Sequence, residues 1–255
     1  MNALRPTDRT LPEWLDARPV VEVSDVEYRR LLGYPRGHEP TAHACELAEA
    51  ARCWFAEHAR PWIYLREVEM RKDGEEFSFD GVAFDSPRLR QHLEQAGAER
   101  ALVMAVSAGV ACEARAAMLW DEEKPDEYFF LEMYGSAVVE QLAATASGRI
   151  CEHAGQDGWR AVAPYSPGYT GWDIADQPQL FQVIRRGVRQ AWPEPLEVLA
   201  SGMPRPKKSL LAIVGLTRRP VGEGESARLV PCESCALTPC RYRRRAYRHT
   251  VTAQA

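Results

Sequence analysis

Three cysteines near the C-terminal end of the chain have the spacing of a metal centre. Cys232, Cys235 and Cys240 form a C-x2-C-x4-C cluster. A short turn brings the first two thiolates together, so such a cluster can wrap one metal ion. Three cysteines suit a 4Fe–4S cluster with one open iron, or zinc with a fourth ligand. The alternative is a redox-active or simply reduced segment; candidates for a fourth ligand are Cys151, His153 and His249.

A basic and aromatic segment follows the cysteines. It holds Arg241, Tyr242, Arg243, Arg244, Arg245, Tyr247 and Arg248. Such a segment can bind nucleic acid, but the whole chain has a formal net charge of −4. This acidic balance argues against a general nucleic-acid binder. The sequence therefore indicates either a contact with an acidic protein surface or a solvated basic helix.

A second stretch with chemical potential is the bend Ser166–Tyr169, which reads Ser-Pro-Gly-Tyr. Gly168 lets the backbone approach a ligand closely and permits a positive φ. Tyr169 can stack on a ligand or donate its hydroxyl. The alternative is a plain turn followed by a core tyrosine.

The elements predicted around these residues are strands and helices that do not strictly alternate. The apolar run Ala101–Val106 predicts a buried central strand, and Ser209–Leu216 predicts a second strand. The longest helix is predicted over about 126–147, with Gly135 inside it at a cost of about 1 kcal/mol. This glycine indicates close packing. Together the elements predict an α+β fold with a twisted, largely antiparallel sheet and flanking helices.

The chain divides by composition into three predicted parts. Residues 1–40 are rich in proline and charge and form an N-terminal arm, residues 41–220 form the core, and residues 221–255 form a tail rich in cysteine and arginine. No apolar run approaches the roughly 20 residues that cross a bilayer, and the first residues lack the apolar stretch of a signal peptide. We therefore expect a cytoplasmic protein that does not act at a membrane.

Four further cysteines are scattered along the chain. The total is seven, an odd number, and no secretion signal is evident, so a full disulfide framework is not expected. We expect these four to be small buried hydrophobic side chains. They are Cys45, Cys53, Cys112 and Cys151.

Three segments together resemble the activation region of cobalamin-dependent methionine synthase and its stand-alone homologues. They are Leu131–Glu140, Tyr165–Asp173 and Met203–Ser209. Their order and spacing fit that family, and the similarity extends over roughly 77–216. The Pro-Gly-Tyr bend is the most specific piece. The resemblance implies the activation-domain fold for the core.

The resemblance also implies a reaction. Members of that family rescue a cobalamin enzyme whose cobalt has been oxidised to cobalt(II), using one electron and a methyl group from S-adenosylmethionine. It implies an S-adenosylmethionine site at Gly168 and Tyr169, in a loop shaped by Ser166 and Pro167. It also places Glu140, on the long helix, against the amino group or the sulfonium of the ligand. A solvated helix glutamate is the alternative for Glu140.

One position departs from the family pattern. The family loop commonly carries an arginine three residues before the proline of the bend, where it can clamp the ligand carboxylate in a bidentate way. Here that position is Pro164. Arg160 or Lys208 is the expected substitute, and without one the affinity for S-adenosylmethionine should be weak or absent.

The partner implied by the resemblance is a separate cobalamin-binding methyltransferase, because no D-x-H-x-x-G cobalamin pattern occurs in this chain. The stand-alone homologues that this chain resembles also carry a cysteine-rich end. An iron–sulfur cluster held there would supply the electron. An acidic flavodoxin or ferredoxin would also fit the basic segment. Two other functions stay open: a docking or cap module that has lost S-adenosylmethionine binding, and an iron–sulfur electron carrier for another enzyme. The sequence does not decide whether the chain is an enzyme.

Overall fold

The computed structural model describes residues 13–35, 37–74 and 76–219. In chain order its elements are β1 (Trp14–Asp16), α1 (Asp25–Leu31), α2 (Ala42–His58), β2 (Trp62–Val68), β3 (Met70–Asp73), β4 (Glu76–Phe79), β5 (Val82–Phe84), α3 (Pro87–Ala96), β6 (Arg100–Ser107), α4 (Val110–Asp121), α5 (Pro125–Gln156), β7 (Arg160–Ala161), a 3-10 turn (Ile174–Asp176), α6 (Gln177–Arg186), β8 (Glu197–Val198), β9 (Pro204–Arg205) and β10 (Ser209–Thr217).

A five-stranded sheet with the order β1-β2-β6-β10-β7 forms the centre of the molecule. Every neighbouring pair in it is antiparallel. Strands β6 and β10 pair from Ser107 opposite Ser209 to Arg100 opposite Leu216. The predicted central strand and the predicted α+β fold class are therefore confirmed. Outside this sheet, β3, β4 and β5 form a three-stranded meander, and β8 pairs with β9.

Both faces of the central sheet are buried. Successive side chains of a strand point to opposite faces. Leu102, Met104 and Val106 of β6 therefore pack into the core beneath α1, α2, α4 and α5. Ala101, Val103 and Ala105 pack into a second core with the meander, α3, α6 and the chain after β7. Burial on both sides explains why this strand is apolar at every position from Ala101 to Val106.

Residues of the predicted N-terminal arm lie against this core. Strand β1 pairs with β2 at the edge of the sheet, with Trp14 opposite Leu65. On α1, Tyr28 is buried, and its hydroxyl donates to the Phe130 carbonyl of α5 at 2.8 Å. Its ring meets Tyr134 edge-on with 5.1 Å between the ring centroids. This segment thus forms part of the wall of the helix-covered core.

The longest helix is longer than predicted. Helix α5 has 32 residues and continues through Gly148 to Gln156, whereas the sequence pattern predicts an end near residue 147. The extension is stabilised by burial, because Ile150 and Ala154 lie on the same inward face. None of the helices in the described ranges combines the length and apolarity needed to cross a membrane.

The scattered cysteines differ in burial. Cys112 on α4 is buried, as predicted, and Cys151 on α5 is half-buried. Cys45 and Cys53 are exposed, so the prediction is wrong for these two. Both lie on α2, whose buried residues are Ala51 and Phe55, and the two cysteines occupy its solvent side.

Candidate functional site

The Ser-Pro-Gly-Tyr bend follows β7 and is attached to the edge of β10. Tyr165 exchanges two backbone hydrogen bonds of 2.8 Å with Ile213. The bend then closes on itself: the Gly168 N–H donates to the Trp172 carbonyl at 2.9 Å, and the Tyr169 N–H donates to the Ser166 carbonyl at 3.0 Å. The sheet therefore fixes the start of a compact, internally bonded loop.

The four predicted bend residues divide into two buried and two accessible ones. Ser166 and Pro167 are buried, Tyr169 is half-buried, and Gly168 is exposed. Gly168 has φ of +89°, a backbone conformation that favours glycine. Its N–H already bonds to Trp172, so this donor serves the loop itself. The part of the bend open to solvent is therefore Gly168, with the half-buried Tyr169 beside it.

Aromatic side chains form a rigid base under the bend. Trp172 is 2% exposed, and its indole N–H donates to Asp176 at 2.8 Å. Its ring lies nearly parallel to that of Tyr165, with centroids 6.2 Å apart, and meets Phe84 edge-on at 5.4 Å. Aromatic pairs of this kind stabilise a protein by more than the area that they bury would predict. The position of the bend therefore depends on the core beneath it.

A histidine from α3 completes this base. The His92 Nε2 atom lies 2.7 Å from the Ala163 carbonyl, and because a carbonyl only accepts, this nitrogen carries the hydrogen. The imidazole also stacks on Tyr165 at 5.0 Å. Burial lowers the pKa of His92, although the bond to Ala163 partly opposes this shift.

Lowering the pH is expected to destabilise the folded protein, because His92 is held neutral in it. The folded state keeps this imidazole neutral, whereas the unfolded chain takes up a proton below the ordinary pKa of 6.5. The free energy of unfolding should therefore fall as the pH is lowered from about 7 towards the depressed pKa. Urea unfolding between pH 7.5 and 5 would measure this slope. In His92→Gln the slope should be shallower, while His58→Gln, on the exposed end of α2, should retain it.

A second polar cluster lies on the other face of the sheet, between α5 and the segment before β10. Glu132 is 6% exposed and bridges two consecutive lysines, with Lys207 Nζ 2.9 Å from Oε1 and Lys208 Nζ 3.1 Å from Oε2. Lys208 also donates to the Ser136 hydroxyl at 2.8 Å. Burial disfavours the charge of Lys207, but its hydrogen bond to Glu132 and the nearby negative charges, above all that of Glu132, together outweigh this and raise the Lys207 pKa.

The close packing predicted at Gly135 is confirmed at this cluster. A Cβ atom at Gly135 would lie 2.9 Å from the Cys112 sulfur and 3.1 Å from Cγ of Lys208. The lysine stem thus crosses the helix where there is no side chain. Burial, and secondarily the charge of Glu132, raises the pKa of Cys112 to about 12. This thiol therefore stays protonated at neutral pH.

The ion cluster joins the first of the three resembling segments to the third. Ile174, the residue after the second segment, lies between Gly168 of that segment and Gly202, the residue before the third: a Cβ at Gly168 would lie 3.1 Å from Ile174 Cδ1, and a Cβ at Gly202 would lie 3.0 Å from Ile174 Cγ1. The sequence pattern did not indicate Glu132, because no local feature separates it from Glu140 on the same helix.

The predicted residue Glu140 lies apart from the bend. Its Oε1 is 3.6 Å from the Arg30 guanidinium of α1, on the helix-covered side of the sheet, whereas the bend belongs to the opposite side. It is also about 12 Å further along α5 than Glu132. The structure therefore brings together Ser166, Pro167, Gly168 and Tyr169 but not Glu140.

The cations suggested as substitutes for the family arginine have different surroundings. Lys208 is bonded to Glu132 and Ser136. Arg160 is exposed on β7. A third cation, which the sequence did not reveal, lies beside the loop just after the bend: the Cβ of Arg88 is 2.9 Å from where a Cβ at Gly171 would lie, and its guanidinium donates to Gln91. Arg88 is exposed at the start of α3 and is therefore available at this surface.

The predicted metal ligands Cys232, Cys235 and Cys240 lie outside the described residues, as does His249. Among residues 13–35, 37–74 and 76–219, no group of three or more His, Cys, Asp or Glu side chains is arranged to hold a metal ion. His153, on the same helix as Cys151, is exposed, with Nδ1 3.3 Å from the Arg149 carbonyl.

The curled antiparallel sheet with a long helix on one face is similar in fold to a solved reactivation domain. The solved structures that this chain resembles include the crystal structure of the MetH reactivation domain bound to AdoHcy. The TM-score is 0.53 with 12% sequence identity, and the match covers 84% of this chain and 83% of that one. At this identity the likeness concerns the fold. No protein-family model and no curated protein matches the sequence.

Proposed function

We propose that this chain reactivates a separate cobalamin-dependent methyltransferase of the methionine synthase type, with S-adenosylmethionine as the methyl donor. The observation that carries the proposal is the likeness of fold, over 84% of this chain, to a domain solved with AdoHcy. AdoHcy is S-adenosylhomocysteine, the molecule left when S-adenosylmethionine gives up its methyl group. The ion pairs between Glu132 of the first resembling segment and Lys207 and Lys208 of the third support the same function.

The proposed ligand site is the surface of the bend. Gly168 would admit the ligand close to the backbone, and Tyr169 would contact it through its ring or hydroxyl. Ser166 and Pro167, both buried, would hold the bend in shape. Arg88 or Arg160 would pair with the ligand carboxylate in place of the arginine that Pro164 replaces. The role of the chain is to position the donor, since the cofactors carry the bond-making chemistry.

The partner and the electron source belong to the same proposal. The cobalamin would reside on a separate methyltransferase. Cys232, Cys235 and Cys240 would hold an iron–sulfur cluster or zinc, and a cluster would supply the single electron that rescue requires. Anaerobic purification followed by iron, sulfide and zinc analysis tests this part. A colourless protein with one zinc and no iron would remove the electron-transfer role.

Replacing Gly168 is the sharpest test of the ligand site. In Gly168→Ala an alanine must adopt a backbone φ near +89°, and its methyl group lies close to Ile174. We therefore expect the free energy of unfolding to fall by about 1–2 kcal/mol and ligand binding to be lost. Gly158→Ala is the matched control, because Gly158 has φ of +77° and open space around it. Calorimetry with S-adenosylmethionine and S-adenosylhomocysteine should show normal binding in the control. Equal affinity in both variants would contradict the site.

A docking or cap module is the second candidate function. Two observations favour it: Pro164 stands where the family has an arginine, and the Gly168 N–H is already bonded within the loop. Such a module would bind the corrinoid protein but neither S-adenosylmethionine nor S-adenosylhomocysteine. Titrating the full chain with each ligand, alone and with the partner present, separates the two functions.

A further inference from the structure

A cavity of about 450 Å³ lies on the helix-covered side of the sheet, beside the segment that follows β1. Its volume falls within the range of small-molecule sites. Apolar walls come from the end of α2, from α5 and from the segment itself: Pro19, Val21, Phe55, Ala59 and Tyr134. The Ser166–Tyr169 bend is on the opposite face of the sheet, so this cavity is separate from the proposed donor site.

Two arginines line the cavity without a carboxylate partner in the described part of the chain. Within those residues, the Arg18 side chain makes no ion pair or hydrogen bond. Arg60 donates to the main-chain carbonyls of Ala59 at 2.9 Å and Glu57 at 3.5 Å. These bonds offset the partial negative charge at the C-terminal end of α2. A net-acidic chain thus presents two guanidinium groups at one cavity whose lining is partly apolar.

Tyr134 gives the cavity an aromatic wall with a polar end. Its ring meets Phe55 edge-on, with 5.4 Å between centroids and 70° between the planes. Burial raises the pKa of Tyr134, so its hydroxyl is protonated at neutral pH. That hydroxyl has no hydrogen-bond partner among the residues described, and it is therefore available as a donor.

The wall opposite the helices is attached by few backbone contacts. Residues 17–22 lie between strand β1 and helix α1. They make no backbone–backbone hydrogen bond to another segment in the described ranges. Arg52 bonds the Val23 carbonyl just beyond this stretch, at 3.2 Å. A ligand can thus enter by a small displacement of residues 17–22 without breaking the sheet.

We propose that this cavity binds a small carboxylic acid with an apolar, ring-sized body. The body would lie against Phe55, Tyr134 and Val21, and the carboxylate would pair with Arg18 and Arg60. The apolar walls select the body, and the two guanidinium groups, which have no carboxylate partner among the described residues, select the charge. This site does not depend on the proposed methyl-donor function.

The test uses the full chain with 3-phenylpropionate as the probe and 3-phenylpropan-1-ol as its uncharged counterpart. Calorimetry should show saturable 1:1 binding of the acid, with the alcohol at least about tenfold weaker. Arg18→Gln should weaken the acid about tenfold. Arg29→Gln, on the exposed side of α1, should leave binding unchanged. Ala56→Phe, which fills the cavity from an exposed position of α2, should abolish binding while circular dichroism stays native.

Four results would overturn the proposal. One is the absence of saturable binding by the unmodified chain. The second is equal affinity for the acid and the alcohol, and the third is an unchanged affinity in Arg18→Gln. The fourth is competition between 3-phenylpropionate and S-adenosylmethionine, which would make this cavity part of the donor site. Failure of S-adenosylmethionine binding alone would leave the carboxylate site standing, so the two proposals fail separately.

Discussion

Replacing Glu132 by alanine is expected to lower the free energy of unfolding by about 3–5 kcal/mol, because it leaves two lysines without their shared carboxylate in a largely buried place. Lys208 has a side chain only 13% exposed and would keep a single neutral partner, Ser136. Urea unfolding at neutral pH measures the loss. The segment 202–208 should also loosen, which hydrogen exchange would report as faster exchange before β10.

Glu140→Ala is the matched control for this change. It removes a carboxylate from the same helix, but one that is 41% exposed and lies 3.6 Å from its Arg30 partner. Exposed ion pairs of this kind contribute less than about 1 kcal/mol. A similar loss of unfolding free energy in both variants would mean that the charge cluster around Glu132 stabilises the fold no more than an exposed ion pair does. The same variant should leave S-adenosylhomocysteine binding unchanged, because Glu140 lies across the sheet from the bend.

Replacing Trp172 by alanine is expected to cost about 3–5 kcal/mol and to weaken S-adenosylhomocysteine binding by at least about tenfold. The indole fills the core beneath the bend, contacts Tyr165 and Phe84, and bonds Asp176. Without it the bend loses its base, and the surface at Gly168 is no longer fixed. Thermal unfolding gives the stability change, and calorimetry below the melting temperature gives the affinity.

Trp159→Ala separates stability from ligand binding. Trp159 is also buried, but it packs in the helix-covered core under Arg100 and Arg218, at 5.1 Å and 4.4 Å from its ring. We expect comparable destabilisation and an unchanged affinity. If both tryptophan variants lost affinity equally, the loss would reflect general instability and not the support of the bend. Trp172→Phe, which retains an aromatic base, should restore most of the binding.

The fold was predictable wherever the signal is local. The apolar run in β6 reflects burial on both faces. Thr41 and Ser86 each cap a helix by accepting a backbone N–H, from Ala44 and Leu89, as their types and positions indicate. The end of α5 was not predictable in this way. Beyond Gly148 the helix depends on Ile150 and Ala154 packing on other elements, and such tertiary contacts override local propensity.

The candidate site was predictable only in part, for a similar reason. The bend residues are contiguous, so one short motif identifies them. Glu132 and Glu140 are both glutamates on one helix, eight residues apart, and nothing local distinguishes them. What distinguishes them is the position of Lys207 and Lys208, some seventy residues later in the chain, and of Arg30, about a hundred residues earlier. Arg88 likewise lies beside Gly171 only because the fold brings α3 next to this loop.

The empty place at Gly135 has a consequence for protein engineering. Exchanging a glycine inside a helix for alanine ordinarily strengthens that helix by about 1 kcal/mol. Here the added methyl group would meet a sulfur atom and a lysine stem at 2.9 Å and 3.1 Å. One of those neighbours would have to move, and the lysine is tied to a buried carboxylate. Gly135→Ala would therefore push Lys208 or Cys112 away from helix α5, although the same exchange stabilises most helices.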